Sequence, residues 1–191
     1  MSRMRLTPSQ TIGPFFHGGL LQGGGNVLVS AQTQGERIRI EGTVYDGDRA
    51  PVTDALVEIW QANAAGRYRH PLDERPVPLD PTFVGFGRSG TEEGGAFWFE
   101  TVKPGPVPYR GETVQAPHIN LAVCARGMLD HLFTRLYFED DPTTAADPVL
   151  RLVPEHRRAT LLARRLPTEG KVVYRFDIVL QGDGETVFFE P

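Results

Sequence analysis

The sequence of 191 residues predicts a mainly β protein, an antiparallel β-sandwich with long loops, an N-terminal arm and one short helix near residues 154–164. Three observations predict this fold. Several segments alternate polar and apolar residues with the period of two that a half-buried strand requires. The 21 glycines and 16 prolines exceed the usual share, and they mark turns between these segments. The length is that of one domain.

Residues 1–35 are predicted to form the arm, because they show no regular periodicity and two runs of glycine interrupt them. Residues 36–191 then form the β-sandwich domain. The arm carries Ile12, Phe15 and Phe16, and such an apolar cluster needs burial. Two alternatives are open: these side chains pack on their own domain, or they embrace a partner chain.

The first strand is predicted at residues 37–45, where Arg37, Arg39 and Glu41 alternate with apolar or small residues before an Asp-Gly-Asp turn. The later strands are predicted at residues 55–61, 96–102, 118–125, 132–138 and 172–180. The helix is predicted because Pro154 suits a first helical turn and strong helix formers follow it. Residues 63–94 and 103–117 are predicted to be long ordered loops, and loops of that length are usually functional or disordered.

Charge and composition exclude several classes of function. The net charge of −4 argues against a nucleic-acid-binding protein, which normally presents a basic face. The single cysteine, Cys124, allows neither an intrachain disulfide nor a cysteine-based metal cage. We find no secretion signal and no run of 18 apolar residues, so we expect a cytoplasmic protein with no membrane contact.

The densest group of chemically active side chains is Gly66-Arg67-Tyr68-Arg69-His70. Nearby cations stabilise a phenolate, and a phenolate is a hard anionic ligand that suits Fe(III). The group alone does not indicate a metal site, because most such tyrosines are packed aromatics whose hydroxyl has found a partner.

Several motifs in the same order resemble the intradiol ring-cleavage dioxygenases, and within that family the alpha-type subunits of hetero-oligomeric members. The resemblance covers nearly the whole chain. The matching segments are residues 7–14 (TPSQTIGP), 57–71 (VEIWQANAAGRYRHP), 103–106 (KPGP), 116–120 (APHIN), 134–138 (TRLYF), 174–178 (YRFDI) and 181–189 (QGDGETVFF).

The resemblance implies a lost iron site. Iron-bearing members use two tyrosinates and two histidines, and these four positions are here Tyr68, Val107, His118 and Asn120. Val107 has no donor atom, and Asn120 offers only a neutral amide oxygen on the strand face that an imidazole would share with His118. An arginine found three residues before the first histidine in iron-bearing members is here Gln115. We therefore expect a vestigial site with no metal and no catalytic residue in this chain.

The resemblance also implies a partner and a reaction. A beta subunit would bind Fe(III), and this chain would complete its active site within a larger alpha–beta oligomer. The substrates would be protocatechuate and O2, and ring opening between the two hydroxyl-bearing carbons would give 3-carboxy-cis,cis-muconate.

The resemblance implies substrate contact by Thr11, Gly13 and Pro14, through an arm that reaches the partner's cleft, and by Arg135, whose fork suits a carboxylate. Alternatives remain open: the arm only braces the interface, and Arg135 fills the vacant metal cavity or forms a surface ion pair. Two other functions also compete. One is a self-sufficient intradiol dioxygenase for a related catechol, with a ligand such as Tyr109; the other is a non-catalytic β-sandwich binding module.

Overall fold

The computed structural model describes residues 6–13, 18–21 and 25–190. The strands in these residues are β1 (Arg37–Tyr45), β2 (Leu56–Trp60), β3 (Phe86–Gly90), β4 (Ala96–Val102), β5 (Val107–Pro108), β6 (Val114–Gln115), β7 (His118–Cys124), β8 (Leu132–Phe138), β9 (Leu162–Leu166), β10 (Val172–Arg175) and β11 (Ile178–Val179). Residues 18–20 form a single α-helical turn. The other helical segments are short 3-10 helices at Glu93–Gly95, Thr144–Ala146, Leu150–Leu152 and Glu155–Leu161. None of the described helices is long and apolar enough to cross a membrane.

A single mixed sheet of nine strands wraps around the main core. Its order is β11-β1-β10-β9-β8-β7-β2-β3, with β4 on the other side of β1. Strand β9 joins the two halves, because Leu162 and Ala163 pair with β8 while residues 164–166 pair with β10. Strands β5 and β6 form a separate small hairpin beside this sheet.

Alternation along the strands decides which side chains enter the core. Ile59, Ile119 and Leu136 are almost fully buried in the main hydrophobic cluster. The residues that alternate with them along each strand point to the outer face of the sheet, where a second hydrophobic cluster packs. That cluster contains Ala116, Tyr137, Leu150, Val153 and Leu161.

The mainly β prediction is confirmed, but the strictly antiparallel arrangement is corrected. Strand β1 pairs in parallel with β10 and β11, and β8 pairs in parallel with β9. Alternation in the sequence identifies a strand but not the direction of its neighbour, and these parallel partners come from distant parts of the chain.

The predicted helix near residues 154–164 is also corrected. It is a 3-10 segment, Glu155–Leu161, with Pro154 at its N-terminal boundary. Residues 162–166 are strand β9 instead, because pairing with β8 and β10 outweighs their helix propensity. Strands β3, β5 and β6 lie inside the segments that the sequence predicts as loops.

The described end of the predicted arm packs on the edge of β4. The Leu28 N–H donates to the Glu100 carbonyl at 2.8 Å, and the Asn26 carbonyl accepts from the Glu100 N–H at 2.9 Å. Leu28 is buried in the main core. The division into an arm of residues 1–35 and a domain of residues 36–191 stays a prediction.

Two long loops meet at Asn63 and hold each other in place. The Asn63 side-chain oxygen accepts from the N–H groups of Ala65 and Arg67 at 3.0 and 2.9 Å. The Asn63 carbonyl accepts from the N–H groups of Gly66 and Gly105, each at 2.9 Å. One buried asparagine therefore connects the loop before Tyr68 to the loop before Val107.

The same junction requires glycine. Gly66 has φ +80°, and a Cβ there would overlap the carbonyl oxygen of Pro106. A Cβ on Gly105 would lie 2.6 Å from the Gly66 nitrogen. Side chains at these two positions would push the loops apart.

We expect Gly66→Ala to destabilise the fold more than Gly94→Ala. Gly94 has nearly the same φ, +79°, and no heavy atom of the described chain lies within 4 Å of a Cβ built there. The control should lose about 1–2 kcal/mol, the cost of a left-handed alanine. Gly66→Ala should lose roughly 1–3 kcal/mol more, from overlap with a packed loop. Urea denaturation measures both, and equal losses would contradict the proposed role of the junction.

Candidate functional site

The vestigial positions gather on the outer face of the sheet. Trp60 on β2, Asn120 on β7 and Arg135 on β8 are direct cross-strand neighbours and form one row. His118 and Tyr137 form the next row. Because residues i and i+2 of a strand share a face, His118, Asn120, Arg135 and Tyr137 all point to the same side of the sheet.

Tyr68 reaches this row from the loop after β2. Its ring stacks on Trp60, with ring centroids 5.9 Å apart and planes 10° apart. Its hydroxyl accepts a hydrogen bond from the Asn120 amide at 3.4 Å. Burial raises the pKa of the Tyr68 phenol, an effect that the Arg135 charge partly offsets. Tyr68 is therefore a neutral, packed phenol near pH 7.

His118 is buried, and its Nδ1 donates to the Ala116 carbonyl at 2.7 Å. Burial, with a further contribution from Arg135, lowers the pKa of His118 to about 4. The imidazole is therefore neutral near pH 7, with its proton on Nδ1.

Arg135 lies in the middle of the group. Its Nε donates to the Asn120 side-chain oxygen at 3.0 Å. Its Nη1 donates to the Gln115 side-chain oxygen at 2.7 Å and to the Tyr137 hydroxyl at 3.3 Å. These bonds support the alternative in which Arg135 fills the vestigial site.

The donor set does not fit a ferric ion. Val107 lies on β5 opposite Gln115, so its isopropyl group borders the site without a donor atom. The Asn120 amide oxygen accepts a hydrogen bond from Arg135. A guanidinium stays protonated in proteins, so Arg135 remains a cation beside this oxygen and cannot itself become a metal ligand. Within the described residues no group of three or more His, Cys, Asp or Glu could hold a metal ion.

An open cavity of about 730 Å³ lies beside the site, lined by Trp60, Tyr68, His70, Leu72, Asp73 and Arg75. An Arg75–Asp73 ion pair of 2.6 Å closes one wall, and it holds the pKa of Asp73 near 2. The Asp73 carboxylate also accepts from the Tyr68 N–H at 2.8 Å, so this pair fixes the backbone at Tyr68.

Tyr137 and Asp147 support the site and were not predicted from the sequence. The Tyr137 hydroxyl donates to one Asp147 oxygen at 2.8 Å, and the other oxygen accepts from the Ala116 N–H at 2.8 Å. Asp147 is 1% exposed although it lies in a polar connecting segment. This buried carboxylate holds the backbone just before His118 and the Tyr137 side chain on the neighbouring strand, and no local sequence pattern indicates it.

The structure does not bring Thr11 to this group. The Thr11 hydroxyl accepts from the Gly127 N–H at 2.7 Å and donates to the Ala125 carbonyl at 3.4 Å. Ala125 follows the far end of β7, about 17 Å from Asn120 along an extended strand. No heavy atom of the described chain, apart from the residues next to Gly13 in sequence, lies within 4 Å of a Cβ built on Gly13. Pro14 lies outside the described residues.

Comparisons with known proteins agree with this geometry. A family model described as Dioxygenase matches residues 13–182. The chain is 44% identical over 197 residues to the protocatechuate 3,4-dioxygenase alpha chain of Pseudomonas putida, covering 96% of each. It is 41% identical over 167 residues to the beta chain of that enzyme from Burkholderia cepacia, covering 84% of this chain and 71% of that one.

A solved structure shares the fold. The dioxygenase domain of a dioxygenase–carbohydrate-binding protein fusion from Streptomyces sp. SirexAA-E superposes with a TM-score of 0.62 at 26% identity. The match covers 93% of this chain and 99% of that domain. The arrangement of strands around the vestigial site is therefore similar to that of a known dioxygenase domain.

We expect His118 to make the fold sensitive to acid. The His118 imidazole takes up a proton near pH 6.5 in the unfolded chain, but only near pH 4 in the folded chain. Between these values the unfolded state binds more protons, so stability falls as the pH falls, by on the order of 3 kcal/mol in total. The charged groups that face the ring are Arg135 and Asp147.

His118→Gln should flatten this acid dependence, measured as the free energy of unfolding in urea from pH 7 to pH 4. The matched control is His131→Gln, since His131 is exposed. An unchanged pH slope in His118→Gln would contradict the buried neutral imidazole.

Proposed function

The chain belongs to the intradiol ring-cleavage dioxygenase family, and on that premise we propose that it is the alpha subunit of a protocatechuate 3,4-dioxygenase. The family is iron-dependent. In this proposal the beta subunit binds the Fe(III), and this chain completes the beta subunit's active site within an alpha–beta oligomer. The reaction opens protocatechuate with O2 to 3-carboxy-cis,cis-muconate.

One observation carries the assignment of iron to the partner. The four positions that hold iron in the family contain one phenol, one isopropyl group, one imidazole and one amide hydrogen-bonded to a guanidinium. A ferric site needs anionic ligands to offset the loss of water around a highly charged ion. At most Tyr68 could supply an anionic ligand, Val107 supplies no donor, and Arg135 adds a positive charge.

The position of the arm supports a role in the partner's site. Thr11 is anchored at the turn after β7, at the opposite end of that strand from the vestigial site. Residues 11–13 therefore do not line this chain's own cavity. We propose that Thr11, Gly13 and Pro14 line the substrate cleft of the beta subunit, where a glycine allows close approach of the backbone.

The turn that binds the Thr11 hydroxyl also contains Arg126, which was not predicted from the sequence as a site residue. Its side chain is 82% exposed, and it contacts Asp54 at 3.1 Å. Any surface that meets Thr11 also meets this turn. Since the described hydrogen bonds of Arg135 all lie within the vestigial site, Arg126 is the better placed cation for a substrate carboxylate in the partner's cleft.

Two alternatives have less support. A self-sufficient dioxygenase would need a replacement ligand, but Tyr109 lies at the exposed tip of the β5–β6 hairpin with Arg110 over its ring at 5.5 Å. A non-catalytic binding module would not need the arm fixed beside an exposed arginine.

The proposal predicts an alpha–beta complex with iron in one subunit only. Coexpression with a beta chain that carries all four iron ligands should give a coloured, active complex with one iron per pair, whereas this chain alone should be iron-free and inactive. Iron analysis and visible absorption measure this. Tyr68→Phe should leave the iron content unchanged. A coloured, active lone chain would support the self-sufficient enzyme, and failure to form a complex would support the binding module.

Arg126→Ala is expected to raise the KM for protocatechuate in the complex by roughly tenfold or more, since a hydrogen bond to a charged group contributes about 1.5–3 kcal/mol. The KM for catechol, which has no carboxylate, should change little. Arg135→Ala is the matched arginine variant. A selective rise in Arg135→Ala instead of Arg126→Ala would assign the carboxylate to Arg135.

A further inference from the structure

We propose that the Arg135 guanidinium replaces the metal ion of the vestigial site, both by occupying its space and by connecting the elements that the ion would connect. The proposal deepens the proposed function, and it rests on that function for the identity of the four iron positions. Its consequence is that restoring the two missing ligands alone does not restore iron binding.

The first support is connectivity. Arg135 on β8 bonds Gln115 on β6 and Asn120 on β7. Asn120 in turn donates from its amide nitrogen to the Tyr68 hydroxyl and to the Trp60 carbonyl, each at 3.4 Å. One cation, acting directly and through one amide, thus connects four strands, β2, β6, β7 and β8, and the loop that carries Tyr68. A multidentate metal ion would make similar connections.

The second support is the direction of the surrounding dipoles. The side-chain oxygens of Gln115 and Asn120 both accept from Arg135, and the Asn120 amide nitrogen points to the opposite side. Both amides therefore present their negative ends to one cationic centre. The family resemblance places these two residues where iron-bearing members have an arginine and a histidine, so a positive charge absent at 115 is provided by Arg135 on β8.

The third support is exclusion. The Arg135 Nε lies only 3.0 Å from the Asn120 side-chain oxygen. A metal ion bound at this position would lie about 2.0–2.2 Å from its ligand atom, on the side that the guanidinium occupies. An ion bound to a histidine at 120 would share its space with the guanidinium. Arginine cannot become neutral in a protein, so it cannot yield to a metal by losing a proton as lysine or histidine can.

The test compares three full-length variants of this chain incubated with Fe(III) and then desalted: V107Y/N120H, V107Y/N120H/R135Q and the control V107Y/N120H/R110Q. Arg110 is exposed on the hairpin and outside the hydrogen-bond network. Bound iron is measured by elemental analysis, and coordination by the visible absorption of a ferric tyrosinate. Circular dichroism and thermal melting report folding.

We expect only the variant with R135Q to bind stoichiometric iron and become coloured, with at least tenfold more iron than the other two. Equal binding by V107Y/N120H would overturn the proposal, and so would a folded but iron-free V107Y/N120H/R135Q. If tyrosine at the buried position 107 prevents folding, the pair N120H and N120H/R135Q gives the same comparison with three ligands.

A second measurement separates this proposal from the proposed function. R135Q alone should lower the melting temperature more than R110Q, because Asn120 and Gln115 lose a shared donor; equal melting temperatures would overturn the structural role. Iron in the unaltered chain would instead overturn the assignment of iron to the beta subunit.

Discussion

The close approach of two loops at Asn63 is the constraint on which the site depends. Asn63 satisfies backbone donors of both loops, and Gly66 and Gly105 leave room for them to touch. This contact places Tyr68 against Trp60 and brings β5 beside the outer face of the sheet. The cavity wall that contains Tyr68 and the adjoining β5–β6 hairpin are both built on this contact.

Arg135 satisfies the polar groups of a site that, in the proposed function, no longer binds iron. Buried polar groups that lose a partner are costly, so an abandoned metal site needs either apolar substitutions or a new donor. This chain combines the two, with Val107 at one position and a guanidinium that satisfies Asn120 and Gln115 at the centre. The guanidinium also donates to the Tyr137 hydroxyl, which in turn donates to the supporting Asp147 carboxylate.

The two ends of β7 have separate roles. The beginning of the strand carries His118 and Asn120 in the vestigial site, and its far end leads into the turn that holds Thr11. In the proposed function, the arm of this chain contributes to a partner's active site and does not line its own open cavity. Anchoring Thr11 at the far end of β7 provides this separation, and Arg126 is exposed in the same turn.

The sequence by itself determined the strands with clear alternation, such as 96–102 and 132–138, because periodicity is a local property. It also placed a valine at 107 and an asparagine at 120, the positions where the family resemblance implies iron ligands. It could not determine that β1 pairs in parallel with β10, that residues 162–166 form a strand, or that Asp147 supports His118, since these depend on partners far along the chain. Only the tertiary structure decided that Arg135 lies among the vestigial ligands and that Arg126 lies beside Thr11. The reason is physical: register across strands and the docking of loops decide which charges meet.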